Sequence, residues 1–217
     1  MKILNLYAGI GGNRKLWGDE HEITAVEYKP EIAAIYHDFF PNDTIVVGDA
    51  HEYLLEHFAE FDFIWSSPPC PTHSKARYGL GFHGGKAAAV YPDMRLYQEV
   101  ILLKTHFKGK WCVENVIAYY EPLIVPRTAG RHWYWSNFYF PAEFDYYEFK
   151  PLGITQNKTG NVRTAKLNDL EQKYGFDLSK YKGVDKRLLL RNCVEPELGK
   201  HVLDWSQKIF SPTKSLF

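Results

Sequence analysis

Cysteine is scarce in this chain of 217 residues, which has three: Cys70, Cys112 and Cys193. They form no C-x-x-C pair and no disulfide framework. No zinc-ligand spacing links them to the nine histidines, so no metal site is expected. Long apolar runs are missing too. Nothing approaches the ~20 consecutive apolar residues that a bilayer-spanning helix needs, and the N-terminus lacks the basic, apolar, small-residue order of a signal peptide. The expectation is a cytoplasmic protein with no membrane partner. An excess of charge is also absent, with 26 Lys and Arg against 26 Asp and Glu. That balance argues against a uniformly basic nucleic-acid binder and leaves a local basic face open. There is no internal repeat, no low-complexity run and no Gly-Lys-Ser/Thr phosphate loop.

What the chain does have is an ordinary globular apolar content of 45% and a high aromatic content of 16%. Its length lies near the upper limit of one compact core, so a single domain over residues 1–217 is expected. Apolar runs at 3–7, 23–27, 44–47, 61–65 and 111–116 read as buried strands, and 132–140 as a sixth. Helical patterns fall between them: a short one after the glycine turn 9–12, then 30–40 behind Pro30, 51–58 and 93–107. In the last of these Leu96, Val100, Leu103 and Phe107 form one stripe. A closing helix covers about 196–209. Strand, turn, helix, strand, repeated, predicts an α/β fold with a doubly wound, mostly parallel sheet. Ligands of such sheets bind beyond the carboxyl ends of the strands. Cys70 and Glu114 both belong to that edge. Between 141 and 191 the pattern weakens and basic residues gather, Lys180, Lys182, Lys186 and Arg187 among them. A solvated surface and a phosphate-facing surface account for this equally well.

Three strand ends carry candidate ligand groups. Gly9, Gly11 and Gly12 let the backbone turn sharply and approach a ligand without a Cβ in the way. Glu27, ending the second strand, has the usual position of a carboxylate that accepts from a ribose diol. Asp49, after the third, suits an adenine amino group, and Tyr28 offers a ring to stack on it. Each alone also fits a solvated loop residue; together they describe an adenosine pocket. A dinucleotide turn would read G-x-G-x-x-G, and its third glycine is Arg14 here. The pocket therefore suits S-adenosylmethionine better than NAD or ATP. The fourth strand runs into Ser67-Pro68-Pro69-Cys70-Pro71-Thr72-His73-Ser74, which holds a cysteine on a stiffened loop, where a nucleophile would sit.

These residues resemble the DNA cytosine-5 methyltransferases. Asn5-Leu6-Tyr7-Ala8-Gly9-Ile10-Gly11-Gly12 is similar to the family's D-L-F-x-G-x-G-G opening, and the Pro-Pro-Cys loop to G-P-P-C-Q-x-F-S. Asp93-Met94-Arg95 looks like its D-x-R helix start. Glu114-Asn115-Val116 matches E-N-V, and Arg191-Asn192-Cys193-Val194-Glu195-Pro196 resembles the late G-N-x-V-x-P motif. The resemblance implies a Rossmann-like class I methyltransferase fold with S-adenosyl-L-methionine as cofactor. It implies that Cys70 adds to cytosine C6, that Glu114 contacts N3 and the exocyclic amine, and that Arg131 approaches the base. Cofactor contacts are implied for Tyr7, Ala8, Gly9, Gly11 and Gly12, for Glu27, Tyr28, Asp49, Ala50 and Pro69, and for Asn192, Cys193 and Val194 in the late motif. As side chains, Cys112 and Cys193 read as structural. Free cysteine, with a pKa around 8.5, is mostly protonated at neutral pH, so Cys70 needs an activating influence that the sequence does not name.

Several departures bear on function. Pro71 stands for the family glutamine, His73 for the aromatic, Asn5 for an acidic residue, and Arg131-His132-Trp133 for a run with two arginines. Arg131 and Asn192 leave little room for the family's target-recognition domain, which is expected as a stub within 141–191. Duplex DNA with a flipped cytosine is the expected partner. Ser74, Lys75, Arg77, Lys180, Lys182, Lys186 and Arg187 are its expected contacts, with short or relaxed specificity, in a bacterium or a phage-infected cell. A partner protein supplying recognition stays open. So do an RNA or free-nucleotide substrate and a non-catalytic DNA-binding subunit.

Overall fold

A computed structural model describes residues 1–75, 90–142 and 166–208. Among the described residues seven strands form one sheet: β1 (Lys2–Leu6), β2 (Glu22–Glu27), β3 (Thr44–Val47), β4 (Phe63–Ser66), β5 (Lys110–Val116), β6 (Arg127–Ala129) and β7 (His132–Ser136). Their spatial order is β3-β2-β1-β4-β5-β7-β6. The first five pair in parallel; β7 runs antiparallel to β5, and β6 antiparallel to β7. The chain leaves β1 for β2 and β3, then returns to place β4 on the other side of β1. That reversal opens a crevice at the carboxyl ends of β1 and β4.

Helices cover both faces, which is why β1 and β4 read as continuous apolar runs. Their side chains still alternate. Leu4, Leu6 and Ile64 face α2 (Ala50–His57) and α3 (Arg95–His106), joining Leu54, Val100 and Leu103. Ile3, Phe63 and Trp65 face the other way, onto Val202 and Leu203 of α6 (Pro196–Ser206). Pro at the first turn of α1 (Pro30–Phe39) and of α6 suits a position whose N–H has no helical partner. The pattern after the glycine turn forms a four-residue 3-10 helix, Asn13–Leu16.

Residues 166–191 yield two helices that the weak pattern there does not predict, α4 (Leu167–Tyr174) and α5 (Lys186–Arg191). Leu170, Tyr174, Phe176, Leu178, Leu189 and Leu190 pack on Ile35, Tyr36 and Phe40 beside α1. The apolar residues of this part of the expected stub are therefore core, while its remainder, like Arg77, lies outside the described residues. The sixth expected strand ends at Ser136, short of the expected 140, and β6 was not legible. Among the described residues no helix is long and apolar enough to cross a membrane.

Candidate active site and cofactor crevice

Beyond β4 the chain turns outward through buried Pro68 and exposed Pro69 to half-buried Cys70. The Cys70 carbonyl accepts from the N–H of His73 at 3.0 Å and of Ser74 at 3.1 Å, closing a turn on the cysteine. Two further ties hold this loop to β5 and the chain after it. Asn115 Nδ2 donates to the Pro68 carbonyl at 2.8 Å, and Tyr119 N–H donates to the His73 carbonyl at 3.1 Å. The Asn of the Glu-Asn-Val strand thus acts as a clamp on the Pro-Pro-Cys loop, a role its sequence position alone does not reveal.

Glu114 precedes that clamp and is 7% exposed. Burial pushes the Cys70 thiol up, and the nearby Glu114 carboxylate pushes it further. Cys70 thus lies within electrostatic reach of Glu114, and both influences favour its protonated form. His132 Nδ1 lies 3.7 Å from Glu114, beyond hydrogen-bond reach. Arg131, in the turn between β6 and β7, is exposed and borders a small depression with Tyr174, Arg191 and Glu195. Burial raises the Glu195 carboxyl to about 7 against the pull of Arg131, and Glu195 pairs with Lys173. The Arg131 charge is thus felt by both members of the Lys173–Glu195 pair.

On the cofactor side, Gly9 (φ +56) and Gly11 (φ +85) adopt backbone that favours glycine. A Cβ at Gly9 would meet nothing within 4 Å, so the turn faces open space. A Cβ at Gly12 would lie 2.5 Å from the Val194 carbonyl and 2.7 Å from Cys193 Cβ. The late motif therefore backs the turn, with Cys193 donating to the Leu189 carbonyl and its thiol pushed up to about 12 by burial. Glu27 accepts from Gly9 N–H on Oε2 and from Lys29 N–H on Oε1, both at 3.0 Å. These bonds aim the carboxylate across the crevice mouth and leave lone pairs for a diol. Tyr28 is 71% exposed beside it. Asp49 caps α2, accepting from the N–H of His51 and Glu52, and takes Arg95 at 3.0 Å. Burial would raise the Asp49 carboxyl, but those donors hold it below the ordinary range. Ala8 and Ala50 are buried small residues flanking the crevice, and Asn192 is exposed at the end of α5. An open glycine turn, an oriented carboxylate and an exposed aromatic fit an adenosine-bearing cofactor.

Arg14, at the position of the missing third glycine, is buried. Its guanidinium grips Asp43 twice, at 2.8 and 3.0 Å, where Tyr36 also donates. That bidentate pair anchors the 3-10 helix to the loop before β3.

The basic residues divide. Lys75 is exposed next to the Cys70 loop. Lys180 pairs with Asp38, near the end of α1, at 3.1 Å, and Lys186 donates to the Ser179 carbonyl. Because α1 runs back against the strands, Asp38 lies at the edge where strands begin, opposite Cys70. Lys182 and Arg187 are exposed in the same stretch. Sequence reading also passed over Glu99, His51 and Ser66, which meet beneath Tyr7. A glutamate on the otherwise apolar stripe of Leu96, Val100 and Leu103 was the available signal.

Comparison with known proteins agrees with this geometry. The family model described as C-5 cytosine-specific DNA methylase matches residues 1–117, which carry the glycine turn, the Cys70 loop and Glu114. The type II methyltransferase M.Bsp6I of Bacillus sp. (strain RFL6) is 29% identical over 94 residues, 42% of this chain and 30% of that enzyme. The match thus spans under a third of that relative's length. Among solved structures, the Entamoeba histolytica methyltransferase EhMeth aligns over 95% of this chain and 97% of its own, with TM-score 0.55 and 10% identity, a likeness of fold. A DNMT2 mutant from Spodoptera frugiperda aligns over 53% of this chain and 35% of its own, at 26% identity and TM-score 0.36. The chain belongs to the C-5 cytosine-specific DNA methylases, on the Rossmann-like fold of S-adenosylmethionine-dependent methyltransferases, and S-adenosylmethionine is the cofactor that this family and fold imply.

Proposed function

We propose that this chain methylates C5 of cytosine in DNA through a covalent adduct on Cys70. The observation that carries the reading is the Asn115 clamp, which ties the Cys70 loop to the strand bearing Glu114. Bound S-adenosylmethionine supplies an electrophilic methyl group on its sulfonium. The residues of the chain do the rest. At rest, burial and the Glu114 charge both favour the protonated form of the Cys70 thiol. As cytosine binds, the thiol proton passes to Glu114, which delivers a proton to N3 while its other oxygen accepts from the exocyclic amine, so the charge that opposes a thiolate is removed. The sulfur then bonds to C6 as the C5–C6 double bond opens into an enamine with density on C5, the proton at N3 balancing the one lost from Cys70. After methylation, the C5 proton leaves to solvent as the C5–C6 double bond re-forms and the C6–sulfur bond breaks, and the N3 proton returns through Glu114 to Cys70.

Glu27, the glycine turn and Tyr28 would hold the cofactor, with Asp49 toward the adenine. Ser74 and Lys75 would meet the backbone nearest the target base, and Arg131, exposed in the turn between β6 and β7, would reach toward the base. Lys180, Lys182, Lys186 and Arg187, anchored through Asp38 at the edge opposite Cys70, would contribute little to DNA contact. Flanking bases are read by elements reaching the grooves. With the apolar side of 166–191 packed on α1, little of the chain's described part is left for that task. This supports short or relaxed specificity, or a partner that supplies recognition, and it equally favours a second reading, a free-nucleotide or RNA substrate.

Tritiated methyl transfer to duplex DNA, single-stranded DNA, RNA and deoxycytidine monophosphate separates these readings. Transfer to duplex DNA is expected, and 5-fluorocytosine should trap the adduct, since fluorine blocks the final elimination. Normal methylation without a trapped adduct would rule out the thiol step.

A further inference from the structure

A carboxylate interrupts the apolar stripe that packs α3 on the sheet. Glu99 is 0% exposed, among Leu96, Val100 and Leu103. Its Oε1 accepts from the Tyr7 hydroxyl at 2.6 Å and lies 3.0 Å from His51 Nδ1. Its Oε2 accepts from Ser66 Oγ at 2.5 Å. Three elements besides its own thus meet on one side chain: the turn after β1, the last residue of β4 and the first turn of α2. All three lie at the edge where the crevice opens.

The charges around this point leave His51 a particular part. A carboxylate removed from water is costly unless it is paired and hydrogen-bonded. Tyr7 and Ser66 bring hydroxyls. Asp49 and Arg95 pair with each other at 3.0 Å. Among the described groups facing Glu99, His51 alone brings a proton that can be gained or lost near neutral pH. Tyr7, moreover, is a bulky residue with left-handed backbone (φ 56), which needs its surroundings to hold it. It leads into Gly9, whose N–H binds Glu27. The hydroxyl of Tyr7 is therefore a tether between the buried carboxylate and the cofactor turn.

We propose that the His51–Glu99 ion pair positions the cofactor turn. Protonated His51 holds the Glu99 carboxylate in place to accept from Tyr7, and loss of that proton dissolves the ion pair, loosens the turn and weakens cofactor binding. The proposal rests on the S-adenosylmethionine reading of the crevice. Its sign follows from the surroundings of His51. The bond to Glu99 raises the imidazole pKa, burial opposes this, Asp49 adds to it and Arg95 subtracts. A raised histidine keeps its proton through lower pH and gives it up as pH climbs through the raised value, so cofactor affinity is highest on the acid side and falls as pH rises.

Two measurements on the full chain test this. Imidazole NMR should find His51 titrating above the ordinary histidine value of about 6.5, and at or below it in Glu99→Gln. Calorimetry with S-adenosylhomocysteine, the demethylated cofactor, should weaken roughly three- to tenfold between about pH 6 and pH 8.5. His51→Asn, which can still donate to Glu99, should flatten that dependence. A His51 midpoint at or below the ordinary value, affinity that rises with pH, or an unchanged pH slope in His51→Asn would each overturn the proposal. If the variants fail to fold, the titration and slope of the parent chain decide alone. Absence of binding at every pH, with His51 still titrating high, would overturn the cofactor reading and leave the ion pair standing.

Discussion

Two corners of the same sheet edge treat their carboxylates in opposite ways. Under the cofactor turn, Glu99 receives Tyr7, Ser66 and His51. In the catalytic corner, Glu114 has His132 at 3.7 Å and a neutral thiol nearby. A saturated carboxylate is a structural joint, because every group it could bind is already bound. An under-partnered one, buried and facing a crevice, retains the capacity to bind a base. Glu27 lies between these extremes, oriented by two backbone N–H groups with lone pairs to spare. The backbone behaves in parallel. The catalytic loop is tied down by Asn115, whereas the cofactor turn is left open at Gly9.

The comparison breaks first at Cys70. Cys70→Ser should lower methyl transfer by at least about 10³-fold, the scale on which covalent nucleophiles fail when replaced, while calorimetric cofactor binding is retained. Loss of binding in this variant would mean that the two corners are not separable. Glu114→Gln should cost about 10²-fold or more in methyl transfer, as for a lost proton-transfer partner. It should also speed alkylation of Cys70 by iodoacetamide roughly two- to tenfold near pH 8, because the charge that raises the thiol is gone. A slower alkylation would show that Glu114 activates the thiol at rest rather than suppressing it.

Glu27→Ala sharpens the contrast on the cofactor side. It should weaken S-adenosylhomocysteine binding by about 1.5–3 kcal/mol, the range for hydrogen bonds to charged groups, and leave the alkylation rate of Cys70 unchanged. An unaltered dissociation constant would remove the diol contact. The smallest effect is expected from neutralising Lys182 and Arg187 together. Their stretch is anchored by Lys180 to Asp38, at the edge opposite Cys70. The salt slope of DNA binding, measured by fluorescence anisotropy, should change by less than about 1. A larger change would bring the DNA path around to the α1–α5 face.

Legibility in the sequence followed the range of the interactions. Strands β1 to β5 and helices α1 to α3 could be read because apolar runs and Pro30 act locally, whereas Asp49, read as a ligand group, also proves to cap α2. The pairing of Cys70 with Glu114 was readable through family motifs. The helices α4 and α5 were missed because a short amphipathic segment rich in lysine looks like surface until Phe39 and Phe40 supply the other half of its core. Arg14 showed what the turn was not, but not that it would be buried against Asp43, 29 residues away in the chain.

The sequence by itself determined the sheet's first five strands, the open glycine turn and the identity of the thiol and carboxylate at its edge, because backbone sterics and apolar periodicity operate over a few residues. Only the tertiary structure decided which carboxylate is satisfied and which is not. Glu99 and Glu114 look alike in the chain. Three donors from distant elements converge on one, while the other faces the crevice opposite a thiol, and desolvation makes that difference large.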